Sequence, residues 1–141
     1  MTSIDASERL LDLIFEALDT ALDTLGHKQP LVPFALLLTK QGIIKQRYIA
    51  DSTSASLEKA AQALTASDED TLAYVLVYDG YVTVGDQETD AVMVEAGERG
   101  KAHGVRFARR YRPPLAALPL MPIGDLAYLG EAEHYLQQDE S

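Results

Sequence analysis

Glu95, Glu98, Arg99, His103 and Arg106 fall close together in the chain, interleaved with Gly97, Gly100 and Gly104. No other stretch offers the parts of an acid–base pair. If the segments flanking this glycine-rich loop pair as strands, Glu95, His103 and Arg106 come together. A carboxylate beside an imidazole orients and charges it, which yields a general acid or base near neutral pH. Glu95 and His103 are therefore the candidate catalytic residues, with Arg106, and Tyr111 beyond it, as neighbours. The plainer reading is a polar hairpin loop with a surface histidine. No nucleophile, oxyanion donor or metal set stands at a recognisable spacing beside them.

A second group overlaps the first. Arg99, Lys101, Arg106, Arg109, Arg110 and Arg112 are half of the twelve basic residues, and residues 99–112 hold no acid. In an alternating strand Arg106, Ala108, Arg110 and Arg112 share one face, while Val105, Phe107, Arg109 and Tyr111 share the other. The first face is strongly basic and is expected to point away from the core. Arg106, Arg110 and Arg112 are the candidate anion- or partner-binding residues, since planar guanidinium groups grip carboxylate or phosphate. The same row would also serve as edge charge that blocks aggregation.

A third group is acidic. Glu8, Asp12, Glu16, Asp19 and Asp23 follow one another at steps of three and four. On a helix they align on one side, opposite the leucines. Like charges at that spacing cost about 0.2–0.5 kcal/mol per pair. The stripe is either a solvated face or a docking face for a basic partner.

Other chemistries find no support. The chain has no Gly-x-Gly-x-x-Gly, Walker, Gly-x-Ser-x-Gly or His-Glu-x-x-His pattern and no calcium loop. Three histidines (27, 103 and 134) and no cysteine make a metal site improbable and exclude disulfides, thiolate clusters and a cysteine nucleophile. No cofactor and no metal are expected.

The elements that would position these residues follow from periodicity. Residues 4–26 predict an amphipathic helix, with Leu10, Ile14, Ala17 or Leu18, Ala21 and Leu25 on the inner stripe and Gly26 as the stop. Residues 31–40 and 43–50 predict a hairpin about Gln41-Gly42, with Pro33 at a strand start or edge. Asp51-Ser-Thr-Ser offers N-caps to a helix over 55–66. Leu72–Tyr78 and Tyr81–Val84 flank Asp79-Gly80, a strong hairpin signal; the alternative is one strand with a bulge at Gly80. Strands over 90–96 and 105–111 follow. Pro113, Pro114, Pro119 and Pro122 make 113–124 an apolar, extended strap, packed on its own domain or exchanged across a dimer. Residues 125–137 predict a last short helix, and 137–141 a frayed tail.

Short connections imply antiparallel pairing, since parallel pairs need a long crossover. The expectation is one α+β domain over 1–141, with an antiparallel sheet of five to six strands and helices packed on it. Its order of helix, hairpin, helix, strands and short helix resembles that of roadblock, longin and profilin-like modules. That resemblance is one of element order alone, and it implies a fold class, not residues or a function.

The totals bound the partners. The chain has 141 residues, 22 acidic against 12 basic, and a net charge of -10. The charge is not spread evenly: residues 99–112 carry +6 and the rest -16. The acidic balance argues against nucleic acid and the membrane surface as partners. The longest apolar run, Phe34 to Leu38, is of strand length and far below the ~20 residues that span a bilayer. The start lacks the basic and apolar regions of a secretory signal, so a cytoplasmic location is expected. The function expected is a non-enzymatic protein-interaction or self-association module, a homodimer with room for a protein partner. The competing expectation is a small-molecule binding protein or enzyme built on Glu95, His103 and Arg106.

Overall fold

The structure, a computed structural model, describes residues 6–136. Helix α1 (Glu8–Gly26) opens at Ser7, whose side chain accepts from the Leu10 backbone N–H at 3.1 Å. That satisfies a donor that a helix start leaves free. The helix starts later than the 4 expected because the cap falls at Ser7; residues 4 and 5 lie outside the described residues. Leu10, Leu13, Ile14, Ala17, Leu18, Ala21 and Leu25 form its buried stripe. The left-handed residue past its end is Lys28 (φ 59), not Gly26.

Strands β1 (Phe34–Thr39) and β2 (Gly42–Arg47) form the first hairpin. The Thr39 hydroxyl donates to the Gly42 carbonyl at 2.8 Å and accepts from the Gln41 N–H at 3.1 Å, and Gly42 adopts φ 133. Helix α2 (Thr53–Thr65) is capped by the Ser52 side chain, which accepts from the Ala55 N–H. Then come β3 (Thr71–Val84), β4 (Gln87–Glu98), β5 (Gly104–Arg112) and β6 (Met121–Ala132). The six strands form one antiparallel sheet in the order β2-β1-β3-β4-β5-β6. This is the α+β class the pattern implied.

Two expectations are corrected. Asp79-Gly80 is not a hairpin turn: the alternative of one continuous strand holds, without the bulge at Gly80. Asp79 pairs with Val92 and Gly80 with Ala91 in an unbroken register. Both residues have tertiary duties instead. A Cβ on Gly80 would stand 2.8 Å from Met93 Cγ, and the Asp79 carboxylate accepts from the Tyr111 hydroxyl at 2.6 Å. The chain turns at Gly85-Asp86, with Gly85 at φ 63.

The expected helix over 125–137 is absent from the described part of that range. Residues Met121–Ala132 instead form β6 along β5. The helix expected there loses to the free backbone edge of β5, to which residues 121–132 return. Register irregularities at Arg106/Phe107 and Ala108/Arg110, with Gly124 (φ 69) and Gly130 (φ 125), let this glycine- and proline-bearing segment follow the strand. The strap shrinks to the residues before Met121. It is pinned by reciprocal backbone bonds between Leu115 and Leu118 and by Leu120 against the core, while Leu115 and Leu118 stay exposed. The tail over 137–141 lies outside the described residues.

One face of the sheet packs on α1. Phe34, Leu36, Val75, Val77, Val92, Val94, Val105 and Phe107 meet the helix stripe there. On the opposite face α2 covers the β1 and β3 side, where Ala60 and Leu57 pack on Ala35, Tyr48 and Leu76, and Leu64 on Tyr74. Leu136 completes that second layer over Tyr74.

Candidate functional site

The α2-side face carries the polar centre. Glu95 of β4 and Arg106 of β5 are direct cross-strand partners, so their side chains emerge side by side. Tyr78 of β3 reaches the same point. Its hydroxyl donates to Glu95 Oε2 at 2.7 Å, while the Arg106 guanidinium stands 3.6 Å from Glu95 Oε1. Glu95 is only 7% exposed, so these two groups stand in for the water it has lost. Burial, and next the hydrogen bond to Glu95, push the Tyr78 hydroxyl well above the usual phenol range, which keeps it a donor. Tyr135 is pushed up by burial and, second, by Glu95. The centre ties three adjacent strands together.

Glu95 and Arg106 are thus brought together as the spacing implied, but His103 has another partner. Its Nδ1 lies 3.7 Å from Glu131 Oε2 on β6, and both side chains are largely exposed. Tyr78 was missed, although its alternation with Leu76 and Tyr74 put it on this face. Glu131 was missed because β6 was. Tyr111 points to the α1 side, where it donates to Asp79. Burial and then that bond raise its hydroxyl far above the phenol range, and burial is also the largest cause of the raised Asp79 carboxyl.

Arg106, Arg110 and Arg112 share the face of Glu95 and are each partly buried. They lie beyond the α2 layer over β1 and β3. Arg112 donates to the Pro119 carbonyl at 2.7 Å, which holds the strap against β5. The Nε atoms of Arg106, Arg109 and Arg112 are enclosed without a hydrogen-bond acceptor. Arg99 donates to the carbonyls of Thr71 and Asp68, and so fastens the end of β4 to the start of β3.

The acidic residues Glu8, Asp12, Glu16, Asp19 and Asp23 lie along the outer side of α1, where all five are exposed. Asp23 faces His27 at 3.6 Å. Glu8, Asp12 and Glu16 line a groove whose other wall is Leu38 of β1 and Ile43 of β2. Further along the same side a second groove is lined by Thr24, Phe34, Lys45 and Arg47, and the Lys45 ammonium sits 4.8 Å over the Phe34 ring. Glu98, the other buried acid, accepts from Ser7 at 2.9 Å and from Arg9 at 2.7 Å, which fixes where α1 begins on the sheet.

Among the described residues no three metal-ligating side chains gather, and no helix is long and apolar enough to cross a membrane. No family model matches the chain, no curated protein matches it, and no solved structure matches it.

Proposed function

We propose that the protein is a non-enzymatic interaction module that self-associates. One observation carries this reading: large apolar side chains stand exposed at both ends of the sheet, while the buried acids Glu95 and Glu98 each face an arginine. Ile43 and Ile44 are about half exposed and Ile49 more so at the β2 end; Leu115, Leu118, Met121 and Leu129 are exposed near the β6 end. Apolar groups gathered at sheet ends mark contact surfaces. Light scattering and sedimentation over a wide concentration range test it. A dimer mass is expected, and a monomer at every concentration, with no protein ligand retained, would refute it.

A second reading is a binding site for a small anion at Arg106, Arg110 and Arg112. The enclosed Nε atoms of Arg106 and Arg112, which lack acceptors, favour it. Calorimetric titration with inorganic phosphate and with a dicarboxylate tests this reading. Saturable heat that Arg110→Gln removes would support it, and a flat trace would reject it.

A further inference from the structure

The β2 edge has the geometry of a two-fold strand contact. Tyr48 donates its backbone N–H to the Pro33 carbonyl at 2.9 Å, and the β1–β2 register runs unbroken from there. Strand alternation then turns the backbone groups of Gly42, Ile44 and Gln46 toward β1. Those of Ile43, Lys45 and Arg47 point outward, where β2 has no neighbour among the described residues. Every residue of β2 is exposed, and its register with β1 is unbroken. Such an edge is a template for another strand.

We infer that a second copy of this chain pairs antiparallel with β2, so that two six-stranded sheets join into one across a two-fold axis at Ile44. This deepens the self-association reading and rests on it. The outward groups select the register. Only pairings that place outward residues opposite outward residues can exchange hydrogen bonds, which leaves two centres of greatest overlap, Ile44 and Lys45. Centring on Lys45 would set Lys45 against the Lys45 of the second copy, a like-charge pair. Centring on Ile44 sets Ile44 against itself on the α2 side and Ile43 against the second copy's Lys45 on the α1 side.

Charge favours the antiparallel pairing itself. Ile43 shares its groove with Glu8, Asp12 and Glu16, whereas Lys45 and Arg47 lie at the far end of the strand beside Thr24 and Phe34. The two-fold reverses the strand. It therefore brings Lys45 and Arg47 of one copy to the Ile43 end of the other, against that copy's acidic row. Adjacent strands lie roughly 4.8 Å apart, within reach of a lysine or arginine side chain. The acidic stripe and the cations of β2, poorly matched within one copy, become complementary between two. The opposite edge of the sheet is unsuited to the same use: β6 carries Pro122, two register irregularities and the acids Asp125 and Glu131.

The chain has no cysteine, which makes the test direct. Ile44→Cys places two thiols at a non-hydrogen-bonded pair, where Cα atoms about 4.5 Å apart suit a disulfide. Ile43→Cys places them off register. Under mild oxidation Ile44→Cys is expected to cross-link into a covalent dimer at least about tenfold faster than Ile43→Cys. Ile44→Lys, at an exposed site that the monomer tolerates, should weaken the dimer by more than about tenfold, and added salt should weaken the wild-type dimer. Faster cross-linking of the Ile43→Cys variant would overturn the register. A wild-type dimer that survives Ile44→Lys but is lost in Leu118→Lys would overturn the β2 contact and leave self-association standing. A wild-type monomer throughout would overturn both.

Discussion

At one end of the sheet the chain presents β2, six residues without proline or register break; at the other it presents β6, twelve residues with Pro122, positive-φ glycines at 124 and 130, and two register irregularities. Both are edges, and an edge is a hazard in proportion to its length and flatness. The longer one is defended by the devices that usually defend an edge. The shorter one keeps two isoleucines in the open and holds Lys45 down on Phe34. On the proposed self-association, the contrast separates an edge shaped to stay single from an edge left ready to pair. It also assigns different work to the polar centres. The Tyr78–Glu95–Arg106 and Tyr111–Asp79 contacts brace β3, β4 and β5, and so hold the ground on which β6 lies, whereas among the described residues no such centre stands under β2.

The largest way to break the contrast is at Gly104, where β5 begins. A Cβ there would stand 2.8 Å from the Ala96 carbonyl oxygen and 2.9 Å from that of Glu133, and backbone cannot move aside cheaply. Gly104→Ala should cost about 3 kcal/mol of unfolding free energy, measured by denaturant titration. It should also loosen the start of β5 and the end of β6 from each other. A second open edge then appears, and light scattering should show species larger than a dimer.

Next in size is Tyr78→Phe. It strips Glu95, almost fully buried, of its 2.7 Å donor and leaves Arg106 at 3.6 Å as the partner. A loss of about 1.5 kcal/mol is expected. Hydrogen exchange should localise it: amides of β4, β5 and β6 exchange faster while β1 and β2 keep their protection. Equal acceleration at both ends would mean that the centre braces the sheet as a whole and that the contrast between its halves is wrong.

How much of this could be read from the chain depends on whether the deciding partner is near in sequence. The α1 stripe and the acidic row opposite it are periodic in one helix, and both stand where the spacing put them. Glu95 and Arg106 met because a short loop joins their strands. Asp79-Gly80 misled because its reasons lie elsewhere: Met93 needs the missing Cβ, and Tyr111 needs the carboxylate. The strand β6 was illegible for a related cause. Its prolines and glycines break any regular pattern, and only the backbone edge of β5 makes a strand of it. Once β6 was missed, so was Glu131, and His103 was assigned to the wrong carboxylate.

A smaller effect distinguishes the two tyrosine–carboxylate contacts. Burial holds the Asp79 carboxyl above its ordinary range, although the Tyr111 bond opposes it. A carboxyl raised on folding binds its proton more tightly in the folded state, so stability falls as pH rises from its unfolded value through its folded one. Asp79→Asn keeps an acceptor for Tyr111 without the charge. Its melting temperature should exceed that of the wild type at neutral pH, with the gain shrinking as the pH falls through the raised folded value and gone below the unfolded value of about 4, where both states of the wild type are protonated. A gain that persists in acid would show that the charge of Asp79 is not its source.

The smallest change tests the defence of β6 itself. Pro122 pairs with Tyr111 at the start of the edge strand and offers no N–H to a newcomer. Pro122→Thr restores that donor at an exposed position, so stability should move by no more than about 0.5 kcal/mol. What should change is association. At high concentration the variant should form a small population beyond the dimer, whereas the wild type forms none. Combining Pro122→Thr with Ile44→Lys then separates the edges: association that remains in the double variant arises at β6, and association that disappears arose at β2. If Pro122→Thr behaves as wild type at every concentration, the register irregularities and the acids Asp125 and Glu131 are sufficient protection, and the proline belongs to the turn out of the strap rather than to the defence of the edge.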